Sequence, residues 1–124
     1  MPARDNHITQ ARHNRDFFGS FDTSRYSDWA ATVLFYTALH YIDAFLATQG
    51  GPQGQHPNRH DVRDNYMTRI QELKPIASDY FRLKNFSSSA RYNPPSPFTP
   101  AEIEALVNRH LAGIHAHLRQ FVPI

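Results

Sequence analysis

The sequence of 124 residues predicts an all-α fold, an up-and-down bundle of four to five helices that forms one domain over residues 1–124. Two observations support this prediction. Apolar residues recur at spacings of three and four in five segments separated by glycine- and proline-containing stretches, and no segment alternates with the period of a strand. A chain of this length also buries a sizeable core without disulfides or metals.

The segment from Ser27 to Gln49 is the most apolar in the chain, and we expect it to be the central helix, buried on most sides. Trp29 is counted among its core residues. Its few polar residues follow at spacings of four, four and three and line one narrow stripe: Thr32, Tyr36, His40 and Asp43. This stripe either hydrogen-bonds to neighbouring helices or lines a functional pocket. His40 and Asp43 argue against a membrane span.

The other elements follow from local patterns. An amphipathic first helix runs from Asp5 to between Gly19 and Phe21, and residues 22–27 supply several capping side chains for the central helix. After the breaking sequence GGPQGQHPN, Asn58 caps a third helix through about Glu72. The expected buried face of this helix is Val62, Tyr66, Met67 and Ile70.

Pro75 predicts a break before a fourth helix, residues 76–92. Its expected core line is Ile76, Tyr80, Leu83, Phe86 and Ala90. Thr99 and Glu102 form a predicted capping box that opens a last helix, which runs to about Gln120. The expected apolar side of this helix is Ile103, Leu106, Val107, His110, Ile114 and Leu118.

Composition excludes several classes of function. With no cysteine there are no disulfides, thiolate nucleophiles or cysteine zinc sites, and the polar N-terminus resembles neither a signal peptide nor an anchor, so we expect a cytoplasmic protein. The formal net charge is only +2. Between Asp79 and Glu102 there is no acid, but there are three basic residues among aromatic rings, and this basic stretch could meet an anion.

Two segments carry candidate ligand-binding residues. In HPNRHDVR, His56 lies in the loop while His60 and Arg63 lie near the start of the third helix, where amide groups and the helix dipole favour phosphate. Surface residues that merely solvate a helix would look the same. In FSSSARY, Arg91 and Tyr92 end the fourth helix.

Arg91 has two alternative roles. It either complements the dipole at the C-terminus of its helix or crosses a groove to meet the His60 and Arg63 pair or the Tyr36 and His40 stripe. Tyr80 lies on the same side of this helix as Arg91. The last helix carries Arg109 and His115, whose side chains would point about 120° apart on a regular helix.

No metal site and no cofactor are predicted. The chain lacks carboxylates three residues before a histidine, which di-iron bundles need, and it lacks nucleophile, phosphate-loop and dinucleotide fingerprints.

Three stretches of this sequence resemble the HEPN superfamily, small helical bundles named for higher eukaryotic and prokaryotic nucleotide binding. They are DWAATVLFYTALHY in the second helix, HPNRHDVR at the start of the third and YFRLKNFSSSARY in the fourth. The resemblance implies a helical bundle that pairs into a homodimer. It also implies an association with RNA cleavage, toxin-antitoxin pairs or nucleotidyltransferase-type partner proteins.

The ribonuclease members of that superfamily carry an arginine followed by four to six residues and a histidine, near a helix start at the dimer cleft. Arg109 and His115 fit this spacing, with His110 as the polar residue after the arginine, although the helix is expected to begin ten residues earlier at Thr99. The resemblance therefore implies a protein that binds RNA or nucleotides or cleaves RNA without a metal. The alternative is a non-catalytic dimeric module that binds a partner protein or a small anionic ligand.

Overall fold

A computed structural model describes residues 2–50, 60–95 and 97–124, and these residues form an all-α bundle without strands, as predicted. The helices are α1 (Pro2–Phe18), α2 (Ser27–Leu46), α3 (His60–Arg69), α4 (Ala77–Tyr92), α5 (Pro100–Ala105) and α6 (Ala112–Leu118). A 3₁₀ turn, Lys74–Ile76, precedes α4, and a π-helical turn, Leu106–Leu111, joins α5 to α6. In this part of the chain no helix has the length and apolar character that crossing a membrane requires.

Helix α2 is the centre of the bundle, and this prediction is confirmed. Fifteen of its twenty residues are buried, and α1, α4, α5 and α6 all pack against it. Trp29 is the exception, because its side chain is 58% exposed instead of lying in the core. It lies in the first turn of α2, beside the C-terminal end of α4, where the bundle surface begins.

The start of α2 is not capped by a side chain as predicted. Its N-cap residue is Tyr26, which makes no side-chain capping bond. The carboxylate of Asp22 instead accepts hydrogen bonds from the amides of Ser24 and Arg25, and the Ser27 hydroxyl accepts one from the Phe98 amide. The predicted capping side chains therefore organise the adjacent turn and a distant loop.

The predicted buried face of α3 is partly wrong. Val62 is 37% exposed, whereas the neighbouring Arg63 is buried at 3% exposure. The reason is tertiary, because a buried carboxylate of α2 must be paired and the Arg63 guanidinium supplies the partner. Helix α3 also ends at Arg69, three residues before the predicted end. The predicted Asn58 cap lies outside the described residues.

The last helical region contains a feature that the sequence pattern did not predict. The capping box at its start is confirmed, since Thr99 and Glu102 exchange side-chain-to-backbone hydrogen bonds of 3.0 and 3.1 Å. Beyond it, Leu106 and Leu111 are both buried although they are five residues apart. The π-helical turn bonds residues at that same spacing and so places both leucines toward the core.

Candidate anion-binding site

A buried ion pair joins the polar stripe of α2 to α3. The Arg63 guanidinium donates from Nε to Asp43 Oδ1 and from Nη2 to Asp43 Oδ2, both at 2.8 Å. Burial opposes the charged guanidinium, but the hydrogen bonds and charge of Asp43 outweigh it, so the pKa of Arg63 is raised. Arg63 is therefore permanently charged, and two of its donors are engaged in fixing α3 on α2.

His60 stands beside this ion pair at the start of α3. Its Nδ1 atom lies 3.4 Å from Arg63 Nη1, and its ring centroid lies 6.0 Å from that of Phe35. Burial, and then the positive charges of Arg63, Lys84 and Arg91, lower the pKa of His60 from its usual 6.5. The imidazole is thus neutral at pH 7 and able to accept a proton.

Arg91 lies on α4 among aromatic rings. Its Nη1 atom donates a 2.9 Å hydrogen bond to the Tyr36 hydroxyl. Its Cζ atom lies 5.1, 5.5 and 6.0 Å from the ring centroids of Tyr92, Tyr36 and Phe35, distances typical of cation–π contacts. Among the described residues no ion pair involves Arg91. Its charge is therefore available to an external anion.

A second polar connection ties α3 to α4. Asp64 accepts a 2.8 Å hydrogen bond from the Tyr80 hydroxyl and forms an ion pair with the Lys84 ammonium group. Tyr80 is fully buried, and burial raises the pKa of its hydroxyl well above the usual value. Tyr80 is thus a positioning residue that no external ligand reaches, whereas the Lys84 side chain is 24% exposed.

The surface in front of Arg91 combines this cation with exposed rings. A cavity of about 220 Å³ is lined by Asp28, Trp29, Thr32, Ala90 and Arg91. Trp29 and Tyr92 are among the most exposed large side chains of the described residues, at 58% and 70%. Flat, exposed rings beside a guanidinium are suited to stacking a base while the cation meets a phosphate. We call Trp29, Tyr36, Arg91 and Tyr92 the Arg91 face.

Most of the ligand-binding residues predicted from the sequence lie in one cluster, and the others lie elsewhere. The structure brings Tyr36, His60, Arg63, Tyr80, Arg91 and Tyr92 together where α2, α3 and α4 meet. Arg91 makes both contacts that its sequence position left open, since Nη1 donates to the Tyr36 hydroxyl and Nε donates at 3.3 Å to the Ser87 carbonyl near the end of its own helix. His40 instead contacts α1 through His7, with their Nδ1 atoms 3.0 Å apart. His56 lies outside the described residues.

The sequence pattern does not indicate one member of the Arg91 face, Trp29, or one buried ring that contacts Arg91, Phe35. The apolar neighbours of Trp29 in the chain predict a core position for it, and Phe35 has the pattern of an ordinary core residue. The acidic Asp28 next to Trp29 was the available sign that this turn of α2 reaches the surface. Ring contacts between distant residues leave no such sign in a sequence.

The predicted catalytic pair is placed differently from the ligand residues. His115 lines two adjoining cavities of about 280 and 240 Å³, which are both also lined by Arg15 and Tyr41. Its ring packs edge-on against Tyr41, and burial, followed by the charges of Arg119 and Arg15, lowers its pKa. Arg109 is exposed and lines neither cavity. Arg15 accompanies His115 in both cavities, and Arg12 also lines the smaller one.

The described residues also contain a group with metal-ligand character. One nitrogen from each of His7 and His40 and one carboxylate oxygen of Asp43 all lie within 4.8 Å of one another. The spacing rules for metal sites did not find this group, because His7 and His40 are 33 residues apart.

No family model matches this chain, and neither a curated protein nor a solved structure does. Its function is therefore argued from the geometry and chemistry of the site.

Proposed function

We propose that this chain is a HEPN-like helical domain that binds single-stranded RNA or nucleotides at the Arg91 face. The observation that supports this most strongly is the position of Arg91, whose guanidinium lies among three rings and forms no ion pair within the described residues. An arginine in this setting is pre-oriented for a phosphate oxygen, because its hydrogen bond to Tyr36 fixes the guanidinium plane.

The neighbouring groups fit the other parts of a nucleotide. The exposed rings of Trp29 and Tyr92 offer stacking surfaces to bases, and such stacking does not depend strongly on base identity. Lys84 and Arg63 are already paired, with Asp64 and Asp43 respectively, so the positive charge that the face offers to a phosphate is that of Arg91. The Asp28 carboxylate lines the same cavity and can accept a hydrogen bond from the amino group of a base.

Binding is tested by fluorescence anisotropy with a labelled single-stranded RNA at fixed salt. We expect Arg91→Ala to weaken binding at least about tenfold, because it removes both the phosphate contact and the cation that orders the rings. The matched control is Arg82→Ala, which removes an exposed arginine from another side of α4 and should leave affinity nearly unchanged. Equal losses in the two variants would indicate only non-specific attraction by positive charge.

A second candidate function, metal-independent RNA cleavage, is favoured by the His115 cavities. A neutral His115 would accept the proton of a ribose 2′-hydroxyl, and Arg15 would stabilise the charge of the phosphorane. The test is RNA cleavage in EDTA by wild type and by the His115→Ala, Arg15→Ala and Arg109→Ala variants. Loss with His115 and Arg15 alone supports this arrangement, and loss with Arg109 restores the sequence-predicted pair. If neither the wild type nor any variant cleaves RNA, the second candidate function is wrong and RNA binding alone remains proposed.

The HEPN resemblance supports the remaining parts of the proposal, which are a homodimer in the cytoplasm, a role in toxin-antitoxin or defence systems and a nucleotidyltransferase-type partner protein. Light scattering after size exclusion measures the oligomeric state directly. The alternative function, a non-catalytic module for a partner protein or small anion, is favoured if inorganic phosphate binds at Arg91 and RNA does not.

A further inference from the structure

Two imidazoles and a carboxylate meet where α1 packs on α2, on the stripe one turn beyond Tyr36. His7 comes from α1, and His40 and Asp43 come from successive positions of the α2 stripe. The two Nδ1 atoms are 3.0 Å apart, and the ring centroids are 5.2 Å apart with an angle of 31° between the ring planes. Both rings are partly buried, so solvent reaches the group.

The distances suit a small transition-metal ion. An ion roughly 2 Å from each of two nitrogens in a tetrahedral site holds these nitrogens about 3.3 Å apart, which differs little from the observed 3.0 Å. One nitrogen of each ring and a carboxylate oxygen of Asp43 lie within 4.8 Å of one another, close enough for small rotations of the two partly buried histidine side chains to complete the set. Three protein ligands leave a fourth position for water.

Asp43 is also held in the way that metal-binding carboxylates commonly are. The two hydrogen bonds from Arg63 fix its plane, as hydrogen bonds to metal-ligating carboxylates do. The Arg63 guanidinium compensates the Asp43 charge, so the site lacks the excess of carboxylate charge that holds hard cations. Recognition depends instead on the two nitrogen donors, which zinc, nickel and copper accept and magnesium and calcium do not favour.

We propose that His7, His40 and Asp43 bind a divalent transition-metal ion of the zinc type, with water as the fourth ligand. The ion would join α1 to α2 near the ends of these helices that are remote from the loop connecting them. It would stabilise the folded protein, because it binds the folded chain in preference to the unfolded chain. This inference does not depend on RNA binding, because neither histidine belongs to the Arg91 face.

The test uses metal-free protein and Zn²⁺ in equilibrium dialysis, with Co²⁺ absorption as a report on ligand geometry. We expect about one ion per wild-type chain and a raised melting temperature with Zn²⁺. His7→Gln and His40→Gln should each weaken binding at least about tenfold, since loss of even an outer-shell partner costs this much. These substitutions leave the Asp43 and Arg63 ion pair intact, so circular dichroism should show a folded bundle.

His13→Gln is the matched control, because His13 is an exposed histidine on the same helix. It should retain wild-type affinity, stoichiometry and the zinc-dependent rise in melting temperature. Absence of binding by wild type would overturn the proposal, and the 3.0 Å contact would then be a hydrogen bond between two neutral imidazoles. Binding that survives in both His7→Gln and His40→Gln would equally overturn it and would assign the ion to surface histidines. Neither result bears on RNA binding at the Arg91 face, which is tested separately.

Discussion

Asp43 and Arg63 are the two charged side chains buried in the described core, at 2% and 3% exposure. Each stands in the sequence as one polar residue among several, and their separation by 20 positions conceals their pairing. The cost of removing both charges from water is offset only because the geometry is bidentate and both partners are present. The pair therefore fixes where α3 lies on α2.

Arg63→Met tests the importance of this pairing. We expect a loss of about 3–5 kcal/mol in unfolding free energy, because the substitution removes the bidentate cationic partner of the buried Asp43 carboxylate. Lys84→Met is the matched control, since its ion pair with Asp64 has both side chains 24% exposed, and it should cost about 1 kcal/mol or less. Urea unfolding measures both. Equal losses would mean that Arg63 stabilises the fold no more than a surface cation.

His60 predicts a pH dependence of stability. Burial and the charges of Arg63, Lys84 and Arg91, opposed by Asp64, lower its pKa in the folded state below the 6.5 of the unfolded chain. As pH falls through about 6.5 the unfolded chain therefore binds a proton that the folded protein resists, and stability decreases. The stabilising effect of the neutral form is fully present above that pH.

The measurement is the urea midpoint at about pH 7.5 and about pH 6.0 for wild type, His60→Gln and His13→Gln. We expect His60→Gln to reduce the loss of stability between the two conditions, while His13→Gln keeps the wild-type loss. An unchanged difference in His60→Gln would show that His60 titrates alike in the folded and unfolded states.

At the scale of elements, the π-helical turn decides what the last helix presents to the rest of the bundle. It places Leu106 and Leu111 in the core and sets His110 beside α4, where Nδ1 lies 2.9 Å from Asp79 Oδ1. Gly113 follows one turn later, and a Cβ atom there would lie 2.9 Å from Asp79 Oδ2. The absence of a side chain at residue 113 therefore makes room for the Asp79 carboxylate.

Gly113→Ala should have different effects on stability in two backgrounds. In the wild type the added methyl group displaces Asp79 from His110, which offsets or exceeds the gain of about 1 kcal/mol in helix propensity. In an Asp79→Ala background the methyl group has room, and the substitution should stabilise by roughly that full amount. Urea unfolding of the four proteins gives the coupling between the sites. Equal effects in both backgrounds would show that residue 113 and Asp79 do not compete for space.

At the scale of the whole molecule, short-range sequence patterns predict where the helices lie. Contacts between residues distant in sequence decide which side chains meet at the candidate site. The apolar run of α2 and the capping box at Thr99 are short-range features, so the sequence was sufficient to place them. Arg91 and Tyr36 are 55 residues apart, and nothing in the spacing of either helix indicates their hydrogen bond. The predicted core position of Trp29 is wrong because hydrophobicity alone does not distinguish a core ring from an exposed one.

The whole bundle thus presents a surface whose ring contacts and charge are supplied by α2 and α4 together. Its only tryptophan, Trp29, lies on that surface and lines the same cavity as Arg91. Tryptophan fluorescence therefore reports on the Arg91 face without a label.

The most direct test is a titration of the wild-type protein with an unlabelled single-stranded RNA while Trp29 fluorescence is followed. We predict a saturable change in fluorescence that is lost in Arg91→Ala and kept in Arg82→Ala, because a base stacks near Trp29 only when its phosphate is held by Arg91. RNA binding without a change in Trp29 fluorescence, or no RNA binding at all, would contradict the assignment of this surface.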